Sequence, residues 1–178
     1  QDLRATADII ARDLRRASRQ SDVDALRNVA QWPQPAPPAQ NLFAAIDINA
    51  AEDDVRYRYL QPTGVTQSGF QFDAAAGRIR TLVGNAWQDL TDPNALEITG
   101  FRVQQIDGPV AALRLPCPRL CADGTENCWP TLQVRGLLVT IAGRARSDPS
   151  VQHAVSTRVR LRNDVLFFNG GAGAGVCP

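Results

Sequence analysis

The first residues of the chain limit the possible folds, because they repeat apolar side chains with the period of an α-helix. Leu3, Ala7, Ile10 and Leu14 recur at three- and four-residue spacings and line one face. Arginines crowd the opposite face and the C-terminal end, where the helix dipole favours cations. We therefore predict an amphipathic helix over residues 1–20. No capping residue precedes it, so we expect it to be the second half of a longer helix.

The segment after this helix changes character. Residues 22–29 predict a short second helix with Ser21 as its N-cap. The stretch WPQPAPPAQ then excludes both helix and central strand, because its prolines lack a backbone donor. We interpret it as an extended, rigid connection, and a Pro-rich ligand motif is the less favoured alternative.

Two-residue alternation dominates the rest of the chain and predicts strands. In VRYRYL, the residues Val55, Tyr57 and Tyr59 share one face, and the arginines between them share the other. GFQFDAAAGRIRTLVG predicts a hairpin, and a turn at residues 92–94 precedes a strand over about 96–106. TLQVRGLLVTIAGRAR predicts one long strand, and SVQHAVSTRVRLRND is predicted to end the regular structure.

One helix followed by antiparallel strands is typical of the α+β class. We predict one domain over residues 1–178, in which the amphipathic helix packs on one face of an antiparallel sheet. The predicted segments are a helix at 1–20, a connection at 21–54, a sheet at 55–164 that contains a Cys-rich loop at 116–130, and a Gly-rich tail at 165–178.

The four cysteines predict disulfides rather than a zinc site. Cys117, Cys121 and Cys128 have C-x3-C and C-x6-C spacings, unlike the paired C-x2-C of zinc sites, and Cys177 lies far along the chain. Disulfides imply an oxidising compartment. Four cysteines allow three connectivities, and the sequence does not distinguish them. Our working hypothesis pairs Cys121 with Cys128 around the loop ADGTEN, and Cys117 with Cys177 to order the tail.

Charge gives little indication of a partner. The net charge is +1, all 19 basic residues are arginine, and no 18-residue apolar run is present. A possible basic sheet face is formed by Arg56, Arg58, Arg158, Arg160 and Arg162. The neighbouring tyrosines alternate with Arg56 and Arg58, so they should lie on the opposite face and not stack with nucleobases there. DNA binding is therefore a disfavoured alternative.

Catalytic and metal-binding patterns are weak. His153 is the single histidine, and no nucleophile or orienting partner can be assigned to it, so we predict that the protein is not an enzyme and needs no cofactor. Two acidic clusters keep calcium open as a minor possibility, although neither has the spacing of an EF-hand. These clusters are Asp47, Glu52, Asp53 and Asp54, and Asp123, Glu126 and Asn127.

Several stretches together resemble one family. DLRATADIIARDLRRA resembles the exposed half of the long N-terminal helix of type IV pilin-like proteins. GFQFDAAAGRIRTLVGNAWQDLTDPNALEITGFRV resembles the sheet region of PilW-type minor pilins, and LQVRGLLVTIAGRARSD with VSTRVRLRND resembles their closing strands. The resemblance covers residues 2–164.

This resemblance implies a type IV pilin-like fold and a role in pilus assembly. The protein would be anchored in the inner membrane with a periplasmic domain, and would become part of the extracellular pilus. Its partners would be other minor pilins and the major pilin, in a complex that starts assembly and forms the tip. The alternatives are a pseudopilin of a type II secretion system and a tip adhesin that binds DNA or a surface.

Overall fold

The computed structural model describes residues 2–17, 46–61, 64–107, 113–114, 116–129, 131–161 and 165–167. One helix, α1 (Asp2–Leu14), begins this part of the chain and continues as a turn to residue 17. The strands are β1 (Ile46–Ile48), β2 (Asp54–Gln61), β3 (Gly64–Asp73), β4 (Arg78–Val83), β5 (Ala86–Asp89), β6 (Leu96–Asp107), β7 (Leu113–Arg114), β8 (Thr131–Gln133), β9 (Arg135–Ala145), β10 (Gln152–Arg160) and β11 (Val165–Phe167).

The predicted amphipathic helix is confirmed over the described residues. Leu3, Ala7, Ile10 and Leu14 are all buried, and α1 packs against β9 and β10. Ala11 is buried beside them, so the buried face is wider than the predicted stripe. In the described part of the chain, no helix is both long and apolar enough to cross a membrane. The predicted second helix and the Pro-rich connection lie outside the described residues.

The strands form three antiparallel sheets, not the one sheet that we predict from the sequence. The five-stranded sheet has the order β1-β2-β3-β4-β5, the long-stranded sheet has the order β10-β9-β6, and the short-stranded sheet has the order β11-β8-β7. Alternation shows which residues share a face of a strand, but not which strands pair, so it left the number of sheets undetermined.

Three boundaries differ from the prediction for the same reason. The long strand predicted over 131–146 divides after Gln133, so that β8 and β9 join different sheets. β1 lies within the predicted connection, and β11 lies within the predicted tail. These short strands carry little periodicity of their own. β1 is held by the next strand, β2, and β11 by the more distant β8.

One cluster of buried side chains joins α1, the five-stranded sheet and the long-stranded sheet. The predicted alternation of β2 is confirmed, because Val55, Tyr57 and Tyr59 are buried and Arg56 and Arg58 are exposed. Helix and antiparallel strands together confirm the α+β class. The core therefore lies between α1 and two sheets, and leaves the outer faces of helix and sheets for contacts with other molecules.

Candidate functional site

The exposed face of α1 is the first candidate surface. Ile9 is 41% exposed, and Ala5 lies one turn before it on the same side. Arg4, Asp8 and Arg12 are exposed around them, with alternating charge. The helical period produces this face directly, because the buried stripe occupies the opposite side. The result is a small apolar patch framed by charged side chains that can meet a second helix.

A cleft of about 390 Å³ lies at the N-terminal end of α1. Its wall includes Leu3, Leu96, Gly143 and Val155, and the exposed His153 lies at the edge. Among the described residues, the His153 side chain makes no hydrogen bond, and no base–nucleophile pair lines the cleft. The geometry therefore provides an apolar recess and does not assign a catalytic role to His153.

A polar cluster joins the last turn of α1 to the five-stranded sheet. The hydroxyl groups of Tyr57 and Ser68 both donate to Oδ2 of Asp13, the second over 3.3 Å. Arg16 pairs with the other carboxylate oxygen of Asp13 at 3.1 Å, and its guanidinium lies 4.7 Å from the ring centroid of Tyr59. Burial, and then the nearby Asp13 carboxylate, raise the pKa of Tyr57 far above its usual value. Tyr57 therefore remains a neutral donor.

The arginines of the predicted basic face do not lie together. Arg56 and Arg58 belong to the five-stranded sheet, whereas Arg158 and Arg160 belong to the long-stranded sheet. Arg162 lies outside the described residues. The expectation of one basic sheet face is therefore wrong for these four arginines, because the strands that carry them pair in separate sheets.

Arg56 is paired with acidic and aromatic groups on the outer face of the five-stranded sheet. Its Nε and Nη2 donate to the two oxygens of Asp54 at 3.1 and 3.0 Å, and its guanidinium lies 5.6 Å from the ring centroid of Trp87. The hydrogen bonds that Arg56 donates to Asp54, and then the charge of Asp54, raise the pKa of Arg56. This face therefore carries a paired cation rather than a free basic stripe.

Sequence reasoning missed Trp87 as a neighbour of Arg56. The register aligns Arg56 with Gly69, Gly69 with Leu82, and Leu82 with Trp87 across four strands. A Cβ at Gly69 would lie 2.5 Å from the backbone oxygen of Val55, so this position excludes larger residues. The bare backbone there lets the Arg56 side chain extend toward Trp87. The row depends on three strand pairs, of which the sequence predicted only the hairpin of β3 and β4.

The first acidic cluster is occupied by internal contacts. Oδ1 of Asn49 accepts hydrogen bonds from the backbone N–H groups of Asp53 and Asp54 at 3.0 and 3.1 Å. The Glu52 carboxylate forms an ion pair with Arg102, with 3.4 Å between Oε2 of Glu52 and Nε of Arg102. Asp47, the fourth member, is exposed on β1. Within the described ranges, no group of three His, Cys, Asp or Glu side chains is placed to hold a metal ion.

The second acidic cluster lies in a loop closed by the Cys121–Cys128 disulfide, which the structure contains as predicted. Asp123 accepts hydrogen bonds from the Thr125 hydroxyl at 2.7 Å and the Thr125 backbone N–H at 2.9 Å. These bonds, the hydroxyl first, lower the pKa of Asp123. Oδ1 of Asn127 accepts a hydrogen bond from the Arg114 guanidinium at 3.0 Å. The backbone oxygen of Glu126 accepts one from the backbone N–H of Trp129. The loop is thus rigidified by its own polar groups.

Cys117 is also disulfide-bonded. Its predicted partner, Cys177, lies outside the described residues, so the Cys117–Cys177 pairing stays a prediction.

Comparison with known proteins gives the class of the molecule. A family model described as prepilin peptidase-dependent protein B (PpdB) matches residues 1–161. The chain therefore belongs to the PpdB family, and is a pilin-related protein. No curated protein and no solved structure matches it.

Proposed function

We propose that this protein is a minor pilin of the PilW type, a non-enzymatic subunit that joins other minor pilins and the major pilin when a type IV pilus is started and capped. The observation that carries the proposal is the match of the PpdB family model over residues 1–161 of a chain with one amphipathic helix and a β-rich head. The resemblance of the sheet region and closing strands to PilW-type minor pilins supports the finer assignment.

The exposed face of α1 is the proposed assembly contact. Ile9 can bury apolar area against a neighbouring helix, while Arg4, Asp8 and Arg12 select partners with complementary charge. Full burial of a side chain of this size contributes about 1.5–3 kcal/mol, and Ile9 contributes less because it is only 41% exposed before assembly. The whole complex therefore needs further helix contacts, contacts between heads, or both.

The proposed location follows from the same role. The protein would be anchored in the inner membrane with its head in the periplasm before assembly, and exposed on the pilus afterwards. The Cys121–Cys128 disulfide supports this location, because disulfides persist in oxidising compartments.

The test is co-purification of the affinity-tagged protein with minor-pilin candidates from the same genome, followed by size exclusion with light scattering. We expect a stable complex of defined stoichiometry. Ile9→Glu should weaken it, whereas Val83→Glu, at a position that is 52% exposed on the five-stranded sheet, is the matched control. A persistent monomer in the presence of every candidate would contradict the proposal. If deletion of the gene abolishes the secretion of a substrate protein and leaves the pili intact, the result would favour the pseudopilin alternative.

A second candidate function rests on Arg56 and Trp87, which share the outer face of the five-stranded sheet. Cations and aromatic rings on one surface are typical of single-stranded nucleic-acid binding, and would suit a tip adhesin. A titration of DNA at several salt concentrations tests it. Binding that weakens with salt and is lost in Trp87→Ala supports this function, and binding without a salt dependence argues against phosphate contacts.

A further inference from the structure

The contacts that hold α1 are of two different kinds. Its buried stripe lies on β9 and β10 through apolar contacts, which depend on area and not on direction. Its last turn is joined to β2 and β3 by the carboxylate of Asp13, through hydrogen bonds that require a definite geometry. Apolar contacts therefore attach the helix to the long-stranded sheet, and hydrogen bonds to the Asp13 carboxylate link its last turn to the five-stranded sheet.

The apolar stripe alone leaves alternative positions open. It repeats every three or four residues from Leu3 to Ala17, so a shift along the axis by one helical turn, about 5.4 Å, places apolar side chains near the same sheet again. A shift of that size would remove Asp13 from Tyr57, and would leave a buried phenol hydroxyl without its acceptor. The polar cluster thus penalises the shifted positions.

We propose that Asp13 is the positioning residue that fixes the axial register of α1 relative to the five-stranded sheet, through the hydroxyl groups of Tyr57 and Ser68. Tyr57 is only 1% exposed and Ser68 only 6%, so their hydroxyls have little access to water as a substitute acceptor. In some proteins a buried polar contact in an apolar interface fixes one arrangement, and we assign this role to the Asp13 cluster here.

Arg16 completes this arrangement from the next turn of the chain. It pairs with Oδ1 of Asp13 and leaves Oδ2 to the two hydroxyl groups, so that both carboxylate oxygens are used. Its guanidinium over the ring of Tyr59 adds a second link to β2. The three partners of this pair, Tyr57, Ser68 and Tyr59, thus define both the position and the rotation of the last turn.

The test measures distances between spin labels on unnatural amino acids at Asp8 of α1 and Gln88 of β5, both exposed. The wild-type protein should give one narrow distribution. Asp13→Ala should broaden it or add a population displaced by about 5 Å, the rise of one turn. Tyr57→Phe, which keeps the ring and removes only the hydroxyl, should do the same to a smaller extent, and keeps the test valid if Asp13→Ala fails to fold.

Two further variants separate positioning from general stability. Asp13→Asn keeps an acceptor oxygen and should retain the narrow distribution, whereas Arg12→Ala removes an exposed neighbour and should leave it unchanged. Unchanged distributions in both Asp13→Ala and Tyr57→Phe would overturn the proposal. The register would then be set by close packing of Leu3 against Gly143. A Cβ added at Gly143 would lie only 3.3 Å from the Leu3 side chain.

Discussion

The helix–sheet core and the Cys121–Cys128 loop are stabilised by different means. In the core, α1 and strands of two sheets exclude water from one cluster of apolar side chains that are far apart in the chain. In the loop, the hydrogen bonds within residues 121–129 join positions two to seven residues apart, and a disulfide closes the segment. Long-range packing and local bonding can therefore be disrupted separately.

The largest expected effect is a cavity in the core. Ile10→Ala should lower the free energy of unfolding by about 2–5 kcal/mol, because Ile10 is fully buried between α1 and the sheets. Denaturant unfolding measures this change. Ile9→Ala is the matched control on the exposed side of the same helix, and should change stability by less than about 0.5 kcal/mol. Equal losses in the two variants would contradict the packing of α1.

Removal of the loop disulfide should have the second largest effect. Cys121→Ser with Cys128→Ser should cost about 2.5 kcal/mol by the chain-entropy relation for a loop of this length, and should lower the melting temperature. Hydrogen exchange should accelerate at residues 121–129 and remain slow in β9. An unchanged melting temperature would show that the bond does not contribute, and faster exchange in β9 would show that loop and core are not independent.

A smaller change should stay within the loop. Thr125→Val removes the hydroxyl that donates to Asp123, so the pKa of Asp123 should rise toward its usual value. A lowered carboxyl pKa gives stability that is present above the unfolded pKa, about 3.9, and is lost as the pH falls through the folded pKa. The variant should lose that contribution. NMR titration measures the pKa, and Thr140→Val, on β9, should leave it unchanged.

The smallest expected effect concerns Glu97, a half-buried carboxylate of the long-stranded sheet. Arg144 donates to Glu97 at 2.7 Å and, more than Arg146 at 2.9 Å, lowers the pKa of Glu97. Arg144→Gln should raise that pKa, although only in part, because Arg146 remains. The variant should be less stable than the wild type at pH values above about 4.3, the unfolded value, and this difference should disappear as the pH falls through the folded pKa. NMR titration checks this, and Arg102→Gln, on β6, should have no effect on Glu97.

In both regions, the sequence revealed features that depend on nearby residues. The stripe from Leu3 to Leu14 and the alternation of Val55 and Tyr57 predicted buried faces correctly, because a side chain's direction follows from the period of its own element. The working hypothesis that paired Cys121 with Cys128 is confirmed by the structure, although the spacing left the other connectivities open.

Pairing between elements was not visible in the same way. The sequence did not show that residues 131–133 and 135–145 join different sheets, or that Arg56 and Arg158 lie on separate sheets. Nor did it connect Asp13 with Tyr57, 44 positions later, or Arg56 with Trp87. Each of these contacts depends on which strands pair and in which register.

Residue patterns alone thus predicted the α+β class and the buried sides of α1 and β2, and they offered the Cys121–Cys128 loop as one of several possible pairings. The tertiary structure alone decided the division into three sheets, the row from Arg56 to Trp87 and the polar cluster at Asp13. The physical reason is that periodicity and short loop closure are local properties of the chain, whereas strand partners are chosen by the total free energy of many distant contacts.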